Sequence, residues 1–387
     1  MFGIVRTEEE SKLTSWCFEI DRPLLLCVLL LMLLSLVFSV SAGSVAAERI
    51  NQPWFYFFLK ALPFYGLGLG ALFVASFCNK KWVLRLAGLD LVFALLLLPI
   101  TVFAPHMIKN SARFVSLGAF NVMPSDIMKP GFVIMTAYFL SKMKEKYGEN
   151  IFLNKEAWRF DTCFSWWYYL LVFIPVLGVI FWHPDFGTAA LYLAVFVAML
   201  FIAGLPWPFV FAFGGVGLGM LGVALMTLAH VRKRFLAFFM NEGDSYQVDT
   251  AVDTIRHGGL FGARNDAFVK QDLPDSHTDF IYAVIVEDLG ALGGCVLLVV
   301  LFYVLRRLIV SATKAKDLFV LYAIGGTAAL FGAQVCINMI TTLGLFPPKG
   351  MTLPFISYGG SSLLAYCVLF GFVLALIRQD KWKKKGD

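Results

Sequence analysis

Long apolar runs, each closed by a short polar segment, dominate the chain. They extend from Leu24 to Ala42, Trp54 to Cys78, Trp82 to Phe103, Met123 to Leu140, Cys163 to Trp182, Phe186 to Gly204, Pro208 to Leu228, Phe280 to Val304, Leu318 to Met339 and Leu363 to Ile377. Most approach the roughly 20 residues that a helix needs to cross the hydrocarbon core of a bilayer. Because a spanning segment must satisfy its backbone internally, the pattern predicts an all-α, polytopic integral membrane protein of about ten transmembrane helices. The first run follows Arg22 and ends in Ser39-Val40-Ser41-Ala42, which resembles a signal peptide. Its length and the spans behind it identify it as the first helix instead.

One long polar segment, about Arg232 to Thr278, interrupts the series before the eighth span. Loops much beyond about 12 to 15 residues are usually functional or disordered. This one mixes Tyr246, Ile255, Leu260, Phe261 and Phe268 with its charges, which predicts partial packing on the bundle.

Composition sharpens the class. Of 387 residues, 59% are hydrophobic and 15% charged, against about 25% charged in soluble domains. No polar stretch remains to build a second core, so residues 1–387 are expected to form one transmembrane domain. It has a short N-terminal segment (1–22), the long loop (232–278) and a basic tail (378–387).

The short segments on one side carry only Arg49, Lys109, Arg113 and Lys349. Those on the other carry Lys142, Lys144, Lys146, Lys155, Arg159, Arg306, Arg307 and the tail Lys381 to Lys385. Positive charge in short loops stays cytoplasmic, so both termini are expected inside and the long loop outside. The same placement explains the net charge of +6 without a nucleic-acid partner. The seven cysteines lie in or beside apolar runs without metal-ligand spacing, which predicts neither a disulfide nor a zinc site.

Candidate chemistry gathers on the outer side. Leu273-Pro-Asp-Ser-His-Thr-Asp-Phe280 closes the long loop and places His277, Thr278 and Asp279 at a helix mouth, where capping is the alternative to chemistry. Glu287 and Asp288 follow inside the same apolar run, and intramembrane carboxylates are functional or paired. Asp126 and Lys129, three apart after Pro124, share one helix face and form either an ion pair or a substrate contact. Asp185, in His183-Pro-Asp-Phe-Gly-Thr188, can cap the next helix. Gly350 to Ser362 supplies hydroxyls, including Ser357, and the paired Gly359 and Gly360.

At these residues the sequence resembles the SEDS family (shape, elongation, division and sporulation) over nearly the whole chain from the first span. The most specific stretches are Leu273-Pro-Asp-Ser-His-Thr-Asp-Phe-Ile281 and Pro348-Lys-Gly-Met-Thr-Leu-Pro-Phe-Ile-Ser-Tyr-Gly-Gly-Ser-Ser362. Lys349 and Thr352 lean toward the cell-division branch. Asp126, Met123 and His183 stand where the family has Glu, Gln and Gln, and the end of the loop is thinned to Gly262-Ala-Arg-Asn-Asp-Ala267.

The resemblance implies a peptidoglycan glycosyltransferase of the bacterial inner membrane that polymerises lipid II during septal wall synthesis. It places a catalytic general base on Asp279. Substrate contacts would fall on Asp126, Lys129, Arg113, Asp185, His277, Thr278, Lys349, Ser357, Gly359 and Gly360. It also implies a class B penicillin-binding transpeptidase and other divisome proteins as partners. A divalent cation (Mg2+ or Mn2+) could assist the leaving pyrophosphate. Intramembrane charges fit a lipid II flippase as well, and a non-catalytic divisome scaffold would make Asp279 a helix cap.

Overall fold

The computed structural model describes residues 12–103, 114–117, 120–148, 151–160, 164–182, 186–227, 246–263, 268–347 and 350–383, with Arg232, Leu236 and Phe238. The helices are α1 (Lys12–Glu19), α2 (Arg22–Glu48), α3 (Tyr56–Phe77), α4 (Lys80–Phe103), α5 (Pro124–Tyr147), α6 (Trp166–Trp182), α7 (Phe186–Ile202), α8 (Trp207–Thr227), α9 (Tyr246–Gly258), α10 (Ile281–Thr313), α11 (Leu318–Thr342) and α12 (Gly360–Lys383). The chain is thus an all-α, polytopic membrane protein. Among the described residues, strands appear only as a short antiparallel hairpin, β1 (Val115–Leu117) with β2 (Phe120–Val122), in the register Ser116 to Asn121.

A helix lies over each of the ten apolar runs. Seven of them, α2, α3, α4, α8, α10, α11 and α12, are long and apolar enough to cross a membrane. The others are α6 and α7, at 17 residues each, and α5, which carries Asp126, Lys129 and a basic last turn. Side chains facing outward, such as Leu26, Phe73, Leu89, Phe211 and Val299, are apolar, as a lipid-facing surface requires. α12 and α11 form the centre. Tyr366, Phe370 and Phe331 are fully buried there and meet edge to face.

Both described chain ends lie at one end of the bundle. Trp16 stacks on Phe77 and donates to Ser76 at 2.9 Å, while Arg378 donates to the Phe77 carbonyl at 3.2 Å. Arg307 grips buried Asp21 with Nε 3.0 Å from each carboxylate oxygen. Asp380 accepts the amides of Lys316 and Asp317. The loop segments 273–280 and 350–359 close the opposite end.

Two features place these segments. α5 begins directly after β2 with Pro124 at its first turn, a position where the missing N–H costs nothing. α10 breaks at Gly290, whose φ of 77° and ψ of 176° are not helical. The residues before the break, Ile281 to Glu287, are all buried. The long loop does pack on the bundle, through α9 alongside α10.

Candidate functional site

Asp279 sits half-buried at the end of a tight turn. Asp275, at φ 49°, offers its carbonyl to the amides of Thr278 and Asp279, both at 3.1 Å. A residue without glycine's freedom held at positive φ stores strain, which concentrates at functional sites. Across from it the chain passes as glycine: a Cβ on Gly350 would lie 2.7 Å from Asp279 Oδ2. The carboxylate therefore rests against bare backbone.

The capping alternative does not hold here. α10 starts at Ile281, its N-cap is Phe280, and no side chain caps it. Thr278 Oγ1 donates to the Asp275 carbonyl at 3.3 Å and so belongs to the turn. The His277 carbonyl accepts the Tyr358 amide at 2.9 Å, and its ring packs on Phe57 at 4.5 Å. His277 thus ties the two outer segments together.

Asp126 and Lys129 form the expected pair at 2.7 Å, with side chains 14% and 3% exposed. The shorter carboxylate in the family's Glu position reaches its partner because both lie on the first turns of α5. Ser361 donates to Asp126 Oδ2 at 3.0 Å. Lys129 also donates to Gln334 Oε1 at 2.9 Å and lies over the Tyr366 ring at 5.1 Å. A carboxylate, an amide oxygen and a ring face thus supply the partners that a buried amine of this kind requires.

Gln334 and Asn338 on α11 join these two groups, and the sequence reading did not single them out. Gln334 Nε2 donates to the Thr352 carbonyl at 2.7 Å, and Tyr366 donates to Gln334 Oε1 at 2.8 Å. Asn338 Nδ2 donates to the carbonyls of Met351 (2.6 Å) and Asp279 (2.8 Å). Positions four apart on a helix are neighbours about 6 Å along the axis. The Lys129 ammonium and the main-chain carbonyl of Asp279 are thereby anchored to neighbouring turns of α11. The signal was present as two amides at helical spacing inside an apolar run, which rule-based reading reserves for charges.

Other candidates find plainer work. Ser357 Oγ accepts the Leu353 amide at 2.7 Å and shapes its own loop. A Cβ on Gly360 would lie 2.5 Å from the Phe64 ring, so this glycine lets α12 meet α3. Gly359 faces Thr352, whose methyl would stand 3.2 Å from a Cβ there. Glu287 is fully buried and accepts the amides of Val269 (2.8 Å) and Lys270 (3.1 Å) and faces His257 Nδ1 at 2.8 Å. Asp288 pairs with Lys270 and accepts from Ser41 at 2.5 Å. Arg113, Asp185 with its neighbour His183, and Lys349 lie outside the described residues.

Among the described residues no three His, Cys, Asp or Glu side chains converge as a metal site. Asp126 is already engaged by Lys129 and Ser361. The described side chains do not fit a protein-held divalent ion.

Comparison with known proteins gives the same assignment along the whole chain. A chain from Caulobacter vibrioides named probable peptidoglycan glycosyltransferase FtsW is 32% identical over 374 residues, covering 96% of this chain and 92% of the relative. Stage V sporulation protein E of Bacillus subtilis is 30% identical over 383 residues, covering 94% and 98%. Among solved structures, a chain of a peptidoglycan synthase complex that coordinates polymerization and crosslinking superposes with a TM-score of 0.74 at 25% identity, covering 93% of this chain and 98% of that one. The rod shape determining protein RodA of Thermus thermophilus gives 0.66 at 26% identity, covering 93% and 97%. The model of the cell cycle protein family that unites FtsW, RodA and SpoVE matches residues 21–382, and the chain belongs to that family.

Proposed function

We propose that this chain is a peptidoglycan glycosyltransferase that polymerises lipid II, with Asp279 as general base. The 4-hydroxyl of an acceptor sugar attacks the anomeric carbon of a lipid-linked donor. Asp279 takes the hydroxyl proton as the new C–O bond forms, and the bond from the anomeric carbon to the pyrophosphate oxygen breaks. A sugar hydroxyl is a poor nucleophile until a positioned carboxylate accepts its proton. The leaving undecaprenyl pyrophosphate carries away the bonding electrons, and a buried cation stabilises that charge. Lys129 is the described residue suited to that work. A Mg2+ or Mn2+ ion would come with the substrate, where it would offset pyrophosphate charge.

One observation carries this reading: neighbouring turns of α11 hold the Lys129 ammonium, through Gln334, and the main chain of Asp279, through Asn338, so both residues are tied to one helix. The distribution of Lys and Arg supports a cytoplasmic position for both chain ends, which puts Asp279 at the outer face of the inner membrane. The division-type motif supports work at the septum, beside a class B transpeptidase and other divisome proteins.

The test is glycan-strand formation from purified lipid II by the reconstituted full-length chain, alone and with a co-purified class B transpeptidase. Polymer from wild type and none from Asp279→Asn is expected. Equal product from both removes Asp279 from the chemistry. Lipid II translocation without polymer, under both conditions, would replace the reading with a flippase.

A further inference from the structure

Glu287, fully buried, and Asp288, part-buried, are carboxylates inside an apolar run that the chemistry above does not use. They lie just before the break in α10, and what surrounds the break assigns them work. In a straight helix, residues twelve apart are separated by about 18 Å. Yet a Cβ on Gly294 would lie 2.9 Å from the Tyr282 hydroxyl. The segment 281–289 therefore folds sharply back from the rest of α10 at Gly290. Asp279 stands two residues before this half-helix, so the angle of the bend sets where Asp279 lies.

A broken helix leaves amides and carbonyls without partners, and buried ones must be satisfied. The long loop supplies them. Ala263 donates to the Glu287 carbonyl at 2.8 Å, while the amides of Ala291 and Leu292 donate to Gly259 (2.8 Å) and Leu260 (3.3 Å). The fit leaves no room for side chains. A Cβ on Gly258 would come within 2.2 Å of the Val286 carbonyl, one on Gly262 within 2.4 Å of Asp288, and one on Gly290 within 2.2 Å of Leu260. Backbone lies directly on backbone across the joint.

The two carboxylates then clamp the loop from the half-helix side. Glu287 takes the two successive amides of Val269 and Lys270 and the His257 ring. Asp288 takes the Lys270 ammonium, which also reaches Ser41 Oγ on α2 at 3.0 Å. Loop, half-helix and α2 meet in one knot of hydrogen bonds and an ion pair about 12 Å, by helical rise, from Asp279.

We propose that this joint is a positioning device: Glu287, Asp288, Lys270 and His257 lock residues 257–263 and 268–271 onto the break and so fix the approach of Asp279 to the acceptor hydroxyl. The inference rests on the reading of Asp279 as the base. It assigns the intramembrane carboxylates to geometry rather than proton transfer. Small displacements of a catalytic group from remote changes can cost about 100-fold in rate.

The experiment uses the reconstituted full-length chain with lipid II and compares wild type, Lys270→Glu, Asp288→Lys and the double swap, with Asp279→Asn alongside. Each single charge reversal is expected to lower kcat about tenfold or more, with KM and lipid II binding little changed. The double swap restores kcat, because the pair re-forms in reverse. Wild-type kcat in the single variants overturns the proposal, as does a loss confined to KM, or a double swap no better than the singles. Should a reversal fail to fold, His257→Ala leaves the two amide bonds to Glu287 in place. It is expected to lower kcat several-fold without moving KM, and an unchanged kcat there counts against the joint. An active Asp279→Asn sinks the base assignment itself, whereas an inactive one beside fully active joint variants sinks only this inference.

Discussion

The side-chain amide of Asn338 donates to the main-chain carbonyl of Asp279 at 2.8 Å. The same nitrogen donates to Met351, so one residue of α11 holds both outer segments at once. Asn338→Ala strips a donor from two carbonyls, and a buried acceptor left unmet costs about 1 to 3 kcal/mol. Asn338→Asp should be worse despite its similar shape, since a carboxylate oxygen would face two carbonyl oxygens. We expect the order wild type, Ala, Asp both in thermal midpoint and in kcat for polymer formation. A kcat for Asn338→Asp equal to wild type would mean that α11 does not hold Asp279 in place.

The Asp126 and Lys129 pair lets stability and activity be separated. Removing one partner of a buried pair strands the other charge at about 3 to 5 kcal/mol, whereas replacing both by apolar groups is often neutral. Asp126→Ala is therefore expected to destabilise strongly, and Asp126→Ala with Lys129→Met to recover most of the thermal midpoint. Activity should stay lost in the double variant, because Lys129 is the cation assigned to the pyrophosphate. Full polymerisation by the double variant would make the pair structural only.

The fold was legible because lipid imposes a simple rule: every run long enough to span became a helix, and the polar loop before α10 packed against it. Part of the site was legible for an equally simple reason, since charge in an apolar run is costly. That marked Asp126, Lys129, Glu287 and Asp288, and spacing alone placed the first two on one face. It could not say that Glu287 serves the loop, because its partners lie 17 to 30 residues away and two of the three arrive as main-chain amides, nor that Asp288 takes the Lys270 ammonium. Nor did it find Gln334 and Asn338, whose neutral amides stand out only once the carbonyls of Thr352, Met351 and Asp279 are known to end beside them. The break at Gly290 was hidden as well: one glycine among Gly290, Gly293 and Gly294 carries the positive φ, and sequence does not say which.

A last prediction concerns the wall behind Lys129. Gly131 lies two residues beyond it on α5 and touches α4 so closely that a Cβ there would stand 2.7 Å from both the Ala87 carbonyl oxygen and the Leu91 nitrogen. The half-buried carboxylate of Asp90 accepts the Gly131 amide at 2.9 Å in the same contact. Because those neighbours are backbone, they cannot rotate away, and Gly131→Ala must push α4 and α5 apart. Overpacking of this kind costs about 1 to 3 kcal/mol. It would also move the turn that carries Asp126 and Lys129, so polymerisation should fall with the thermal midpoint. Gly88→Ala is the control, since a Cβ there meets only the flexible Met135 sulfur at 3.8 Å and should change neither quantity. Equal behaviour of the two alanine variants would show that the α4 and α5 contact does not set the position of the ammonium.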